Sequence, residues 1–169
     1  MNKFFLFIVV LTFAALQSLS AEISTEPLSD FRPDVEVVGI FIEYGDRVLF
    51  LHRQDAAIQG NTWCVPGGKV ERNESLLQAV VRETFEEIGY DFSHEQIEFV
   101  RTFYVKYSEK SQFLYHVFRV RVAEPLTNVV IDWREHKGFT WVTPADALKM
   151  DLIKDEDYCL NFVYGAPCL

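Results

Sequence analysis

Residues 68–90 read GKVERNESLLQAVVRETFEEIGY, and they carry most of the chemical information in this chain of 169 residues. A glycine loop leads into a segment with helical features, which ends in the glutamates Glu83, Glu86 and Glu87. Because residues three or four apart share one face of a helix, we predict that the three carboxylates converge on one point. Like charges at this spacing destabilise a helix unless a cation lies among them. Carboxylate oxygens favour Mg²⁺ or Mn²⁺ over zinc, which prefers sulfur and imidazole.

The ends of this helix are well marked in the sequence. Ser75 and Gln78 have the spacing of a capping box, and Gly89 is placed to end the helix in a left-handed conformation. The loop at residues 66–68, Pro-Gly-Gly, lets the backbone approach a ligand closely. An apolar stripe predicts which side of the helix faces the core, and it consists of Leu77, Val81, Phe85 and Ile88.

The segment resembles the Nudix box, Gly-x5-Glu-x7-Arg-Glu-U-x-Glu-Glu-x-Gly-U, in which U is a bulky aliphatic residue. All fixed positions match, and they are Gly68, Glu74, Arg82, Glu83, Glu86, Glu87 and Gly89. Thr84 and Tyr90 depart from the two U positions, which serve packing rather than chemistry. The resemblance implies an α/β fold of the α+β type, the Nudix α/β/α sandwich with a mixed β-sheet between helices. The predicted order along the chain, with strands before and after two or three helices, agrees with this expectation.

The resemblance also implies an activity. Nudix enzymes use Mg²⁺ or Mn²⁺ to hydrolyse a nucleoside diphosphate linked to another group. The metal ligands it implies are Glu83, Glu86, Glu87 and the carbonyl of Gly67. It also implies that an ion pair between Arg82 and Glu74 orients the carboxylates. Glu83 is the first candidate for the base that accepts a proton from water, and a glutamate from a later loop, Glu135 or Glu124, is the alternative.

Length and composition predict one acidic domain with a true core. The chain has 49% hydrophobic and 15% aromatic residues, which argues against disorder, and its formal net charge is −9. This charge argues against binding to a nucleic-acid polymer or to an anionic membrane surface. A small nucleotide remains compatible, because the metal ion supplies local positive charge. The oligomeric state stays open, and a homodimer is one of the possibilities.

The N-terminus has the layout of a secretory signal peptide, with Lys3 before an apolar run over residues 4–16 and a small, polar stretch after it. We therefore expect a signal peptide at 1–21, a leader segment at 22–34 and the Nudix domain at 35–169. This organisation predicts export to the periplasm or secretion, and an uncleaved membrane anchor is the alternative. Because export implies an oxidising compartment, Cys159 and Cys168 are candidates for a disulfide, whereas Cys64 is expected to be a buried hydrophobe.

The remaining elements follow from residue patterns and turn signals. A hairpin is predicted from two strands at 35–43 and 47–53, joined by a turn at residues 44–46. Further strands are predicted around Cys64 and at 96–107, 112–122 and 139–142. Thr143 and Pro144 mark the start of one more helix, and residues 155–164 predict the last helix.

The substrate is the least specified property. The run from Trp63 to Glu71, Trp-x-x-Pro-Gly-Gly-Lys-x-Glu, resembles relatives that cleave oxidised dGTP, so a (d)NTP or related nucleotide is favoured. The alternatives are a dinucleoside polyphosphate, for which Tyr107 is a marker, a nucleotide sugar, and a non-catalytic nucleotide-binding sensor domain. Candidate contacts to the substrate are Arg53, Phe103 and Tyr107.

Overall fold

The computed structural model describes residues 22–165, and the predicted signal peptide at 1–21 and Cys168 lie outside them. In chain order, the elements are β1 (Glu22–Ser24), β2 (Val35–Tyr44), β3 (Arg47–Arg53), β4 (Trp63–Cys64), β5 (Gly67–Lys69), α1 (Leu76–Ile88), β6 (Glu98–Ser108), β7 (Ser111–Arg121), β8 (His136–Val142), α2 (Pro144–Ala147) and α3 (Glu156–Tyr164). None of the helices in this described part is both long and apolar enough to span a membrane.

The strands form one mixed sheet with the order β1-β6-β7-β2-β3-β4. Its central pair, β2 and β7, is parallel, and the other strand pairs are antiparallel. Two short segments attach beside this path, since β5 pairs with β2 and β8 pairs with β3. The predicted hairpin is confirmed, because Tyr44 of β2 pairs with Arg47 of β3 across a two-residue turn.

Helices cover both faces of this sheet. Alternate residues of β2, Val38 and Ile40, pack in one core together with Val80 of α1. Phe41 points to the other face and packs in a second core with Leu160 of α3. This alternation is the two-residue period of a strand that is buried on both sides. The predicted α/β/α sandwich with a mixed sheet is therefore confirmed.

The prediction that the apolar stripe of α1 faces the core is mostly wrong. Leu77 and Phe85 are 50% and 60% exposed, and within the stripe only Ile88 is fully buried. The face that packs on the sheet instead contains two polar residues, Thr84 and Glu87, along with Val80. Thr84 is accommodated because its hydroxyl donates to the carbonyls of the preceding turn, at 2.9 and 3.0 Å. The helix is rotated toward its carboxylates, so the most apolar side is not the buried side.

This rotation gives a test of the packing. We expect Phe85→Gln to change the free energy of unfolding by less than about 0.5 kcal/mol, because most of the side chain is exposed to solvent. Ile88→Val removes one buried methylene group and should cost about 1 kcal/mol. Urea unfolding of both variants measures the two values. A larger loss for Phe85→Gln than for Ile88→Val would contradict the observed orientation of α1.

Two segments expected to be irregular are strands. Gly67 and Gly68, predicted to lie in a loop, belong to β5 and pair with β2, with Gly67 opposite Gly39 and Gly68 opposite Val38. A side chain at Gly67 would collide with the carbonyl of Val38, so the missing side chain permits this close pairing. The leader segment contributes β1, which pairs with β6 at the edge of the sheet and places Ile23 opposite Val105.

Candidate active site

Helix α1 is fixed at both ends, which sets the position of its carboxylates. Ser75 accepts a hydrogen bond from the Gln78 amide at 3.2 Å, and the Gln78 side chain accepts one from the Ser75 amide at 2.7 Å. Gly89 ends the helix with φ of 71° and donates to the Phe85 carbonyl. The predicted capping box and glycine terminus are therefore confirmed, and they supply local stabilisation to a helix that carries like charges.

Arg82 links the loop, the strand β5 and the helix. Its guanidinium donates two hydrogen bonds to Glu74, at 2.7 and 3.1 Å, and one to the Lys69 carbonyl at 2.9 Å. The same group contacts Glu83 at 2.8 Å and Glu86 at 3.5 Å. The expected ion pair with Glu74 is thus present in the two-pronged geometry that arginine favours. Bonds to Glu74 and Glu83 raise the pKa of Arg82, so its positive charge is permanent.

Glu83 lies mostly buried against the backbone of β5, with its side chain 13% exposed. A side chain at Gly68 would collide with the Glu83 carboxyl group, so glycine at this position leaves the space that the carboxyl occupies. Burial raises the pKa of Glu83 although the Arg82 bond opposes the rise, and the charges of Glu86 and Glu135 add to it. The carboxylate is therefore in an environment where added positive charge would be favourable.

Glu87 is almost completely buried and accepts a hydrogen bond from the Gly67 N–H at 2.8 Å. Burial raises its pKa well above the usual range, although the bond from Gly67 opposes this, and the charges of Glu83 and Glu135 contribute further. Nε2 of the buried His136 lies 3.7 Å from its second oxygen. The contact observed between Gly67 and the carboxylates is thus through the amide, and its carbonyl as a metal ligand remains a prediction.

The three box carboxylates do not converge on one point as predicted, because Arg82 holds Glu83, Gly67 holds Glu87, and Glu86 extends into solvent. The Glu86 side chain is 57% exposed. Within residues 22–165, no three side chains of His, Cys, Asp or Glu are arranged so that they hold a metal ion as they stand. The donor set nevertheless suits a hard divalent cation, since all donors are carboxylate oxygens. Burial, with a smaller contribution from neighbouring carboxylate charges, raises the pKa of Glu83 and Glu87.

The structure separates the two loop glutamates proposed as alternative bases. Glu135 lies in the segment before β8, and its charge raises the pKa of both Glu83 and Glu87. Its backbone carbonyl accepts a hydrogen bond from Gln54 at 2.8 Å, which anchors the segment beside β3. Glu124 is exposed and is not among the charges that act on these carboxylates. Glu135 therefore remains a candidate base, and Glu124 is disfavoured.

A cavity of about 340 Å³ adjoins this acidic cluster. Residues of β5 line one side of it, so the same short strand borders both the cavity and the carboxylates. The other walls come from the sheet and from the start of α3, and they include Val105, Tyr107 and Glu156. The volume falls in the range of small-molecule sites, about 300–1,000 Å³.

The predicted substrate contacts divide into two groups. Arg53 and Tyr107 line the cavity, and the Lys154 ammonium group lies 4.3 Å from the centre of the Tyr107 ring. The prediction that Phe103 contacts the substrate is wrong, because this residue is 0% exposed. Its ring packs edge-on against two aromatic rings of α3, Tyr158 and Phe162. Strand alternation explains the difference, since Phe103 faces the core beneath the last helix.

Two acidic residues at the start of α3 were not identified from the sequence as functional. Glu156 is 4% exposed, and its Oε1 atom has no hydrogen-bond partner, as is also true of Oδ2 of Asp155. Both residues line the cavity. Burial raises the pKa of Glu156 to about 8, and the charge of Asp157 adds to the rise. Acidic residues are common in the first turn of a helix, which conceals this signal in the sequence.

The close contact at Gly68 leads to a prediction. We expect Gly68→Ala to lower turnover at least about tenfold, because the added methyl group displaces the Glu83 carboxylate and misplaced catalytic groups are costly. The fold should survive, since the obstructed atoms are the end of a side chain. Gly138→Ala is the matched control, because no atom lies within 4 Å of the added carbon there. Steady-state rates and melting curves of both variants test this expectation, and equal rates would contradict it.

Comparison with known proteins identifies the family. The model of the NUDIX domain matches residues 32–161. The CTP pyrophosphohydrolase of Escherichia coli strain K12 is 32% identical over 125 residues, which are 70% of this chain and 82% of that protein. The residues that match the NUDIX domain contain the acidic helix and every lining residue of the cavity except Ile23.

Solved structures show the same fold. A MutT NUDIX hydrolase from Burkholderia pseudomallei superposes with a TM-score of 0.67 and 22% identity, covering 78% of this chain and 98% of that chain. A bifunctional NMN adenylyltransferase/ADP ribose pyrophosphatase from Francisella tularensis, complexed with AMP and a Mn ion, has a TM-score of 0.60 and 20% identity. It matches over 80% of this chain and 42% of its own length.

Proposed function

The chain belongs to the Nudix family of hydrolases, which use divalent metal ions and act on nucleoside diphosphate-linked compounds, and from this premise we propose that it hydrolyses a nucleoside triphosphate. The observation that carries the proposal is the cavity that meets the acidic cluster at β5. A base in the cavity leaves its phosphates beside Glu83, Glu86 and Glu87. The similarity to a CTP pyrophosphohydrolase supports a triphosphate, ribo or deoxy, as the substrate class.

The two acidic residues of the cavity supply groups that can recognise a base. With a pKa of about 8, Glu156 is protonated at neutral pH and can donate a hydrogen bond to a ring nitrogen or carbonyl of the base. The unpartnered Oδ2 atom of Asp155 can accept one from an exocyclic amino group. Buried groups without partners cost free energy until a ligand satisfies them, so their positions favour a polar planar ligand. Tyr107 lines the same cavity, so its aromatic ring can contact the base there.

The phosphate end of the substrate lies where positive charge and carboxylates meet. Arg53, at the end of β3, and Lys69, in β5, line the cavity and would attract the triphosphate. We propose that Glu83, Glu86 and Glu87 hold Mg²⁺, with Mn²⁺ as a substitute. When bound, the ion would neutralise phosphate oxygens and make an attacking water more acidic.

The chain itself supplies the groups that move the proton. We propose that Glu135, which is exposed and coupled by charge to Glu83 and Glu87, accepts the proton of the attacking water. The water oxygen forms a new bond to phosphorus, and the bridging P–O bond breaks, which releases a nucleotide and phosphate or pyrophosphate. Arg82 does not touch the substrate in this scheme, because its donors are occupied by Glu74, Glu83 and the Lys69 carbonyl.

A panel of substrates with Mg²⁺ and with Mn²⁺ tests the proposal. It contains the ribo- and deoxynucleoside triphosphates, a dinucleoside polyphosphate, a nucleotide sugar, ADP-ribose and a capped RNA. We expect nucleoside triphosphates to have the highest kcat/KM, and products formed in ¹⁸O-labelled water identify the phosphorus that is attacked. A preference for any other compound would contradict the substrate assignment but not the family. Failure to cleave every compound would contradict hydrolysis of these substrates.

We also propose that the protein is exported. The support is the sequence pattern of residues 1–21, in which Lys3 precedes an apolar run and a small, polar stretch follows it. N-terminal sequencing of the protein recovered from its native compartment tests this proposal, and a mature N-terminus near Glu22 is expected. Recovery of Met1 in a membrane fraction would favour the uncleaved anchor, and recovery of Met1 in the cytoplasm would contradict export.

A further inference from the structure

The cavity has one wall that comes from outside residues 32–161, the part of the chain that matches the NUDIX domain. This wall is Ile23, the central residue of the three-residue strand β1. It is partly buried and packs against the core beneath α3. The N-terminal leader therefore contributes to the shape of the cavity as well as to the edge of the sheet.

Strand geometry determines which residue of β1 faces the cavity. In the antiparallel register, Ile23 lies opposite Val105, and such partners point to the same face of the sheet. Val105 is 1% exposed and lines the cavity, so Ile23 points to the cavity side beside it. Glu22 and Ser24 point to the opposite face. A one-residue shift of β1 would turn Ile23 away from the cavity.

The rest of the leader holds β1 in this register. Phe31 packs edge-on against Tyr104 of β6, with ring centres 5.3 Å apart. The amide of Arg32 donates to the side chain of Gln112 at 2.9 Å, and the amide of Asp34 donates to the Gln112 carbonyl at 3.1 Å. These contacts lie on β6, which pairs with β1, and on β7, the next strand in the sheet. The wall is therefore anchored at both ends of the leader.

We infer that Ile23 is a specificity-determining residue that sets the size of the base accepted by the cavity. The inference rests on the proposed function, because it takes the cavity to be the base site. Apolar contact and available volume discriminate between ligands of different size at such a wall. A purine is larger than a pyrimidine, so the residue at position 23 changes the preference between the two classes and leaves the acidic cluster unchanged.

Variants of opposite size in the full-length chain test this inference. We expect Ile23→Ala to raise the ratio of purine to pyrimidine kcat/KM at least about threefold, and Ile23→Phe to lower it at least about threefold. Ile97→Ala is the matched control, because Ile97 is also a partly buried isoleucine but packs against the core beneath α1. The control should leave the ratio unchanged. Melting curves identify variants that fail to fold, and Ile23→Val then provides a milder change with a smaller shift in the same direction as Ala.

The readouts separate failure of this inference from failure of the proposed function. If the unaltered protein cleaves triphosphates but the ratio stays constant in folded Ile23 variants, the inference is wrong and the function stands. If no nucleotide is cleaved, calorimetric binding of AMP and CMP to the same variants replaces the rates. If the ratio of their dissociation constants changes with the residue at position 23 but not in Ile97→Ala, the result would support Ile23 as a specificity-determining residue. Equal ratios, or no binding, would overturn it.

Discussion

Glu86→Gln should lower turnover at least about a hundredfold, as expected when a charge that holds a catalytic metal ion is lost. The variant is informative because Glu86 is mostly exposed and its one ion pair, with Arg82, is 3.5 Å long. Stability should not fall, since the substitution removes one of several crowded negative charges. Rates under saturating Mg²⁺ and the binding of Mn²⁺ measured by calorimetry test the two parts of this expectation, catalysis and metal affinity.

Glutamates outside the helix provide the controls for that variant. Glu124→Gln, an exposed site away from the carboxylate cluster, should keep the normal rate. Glu135→Gln should lower the rate while it leaves Mn²⁺ affinity nearly unchanged, because we assign it to proton transfer. Turnover of Glu86→Gln close to that of the unaltered protein would remove Glu86 from the metal site, and a rate loss at Glu124 would restore it as the candidate base.

The second large effect concerns Glu156 and pH. Its carboxyl group has a pKa of about 8 when folded and an ordinary pKa of 4.5, because burial disfavours the charged form. Between these two values the folded state binds one proton more than the unfolded state, so stability falls as pH rises from about 4.5 and levels off above about 8. One pKa unit corresponds to about 1.4 kcal/mol, which makes the whole effect several kcal/mol. Glu156→Gln, which stays neutral, should remove this component of the pH dependence.

Urea unfolding at pH 5, 7 and 9 measures this prediction. Relative to the unaltered protein, Glu156→Gln should gain stability progressively from pH 5 to pH 9. Glu95→Gln, an exposed glutamate, should follow the unaltered protein at each pH. Parallel stability curves for the unaltered protein and Glu156→Gln would mean that the carboxyl group titrates normally, and the proposed donor to the base would then be charged at neutral pH.

The chemistry of the box was largely predictable because it depends on local spacing. The ends of α1 follow from Ser75, Gln78 and Gly89, whose side chains or backbone act within one or two turns of the chain. The strand β3 was predicted with its observed limits for a similar reason, since it is a short apolar run between a tight turn and a polar loop. The ion pair of Arg82 with Glu74 could be expected from the resemblance to the box, and the structure contains it.

Features that depend on the three-dimensional arrangement were not predictable from local patterns. The rotation of α1 places Glu83 and Glu87 against β5, so the stripe that includes the exposed Leu77 and Phe85 does not mark the buried face. The strand β5 depends on the close approach of two backbones, and β1 depends on β6, which is more than 70 residues away in sequence. The buried state of Glu156 likewise depends on a cavity formed by distant strands.

The short strand β5 lies between two functional regions, the acidic cluster and the cavity, and borders both of them. Bond cleavage is assigned to the acidic helix on one side, and the choice of substrate is assigned to the walls contributed by β1, β6 and α3 on the other. The backbone of Gly67 and Gly68 contacts the carboxylates and also lines the cavity. On this assignment, substitutions in the N-terminal leader change the nucleotide specificity while the reaction centre keeps its residues.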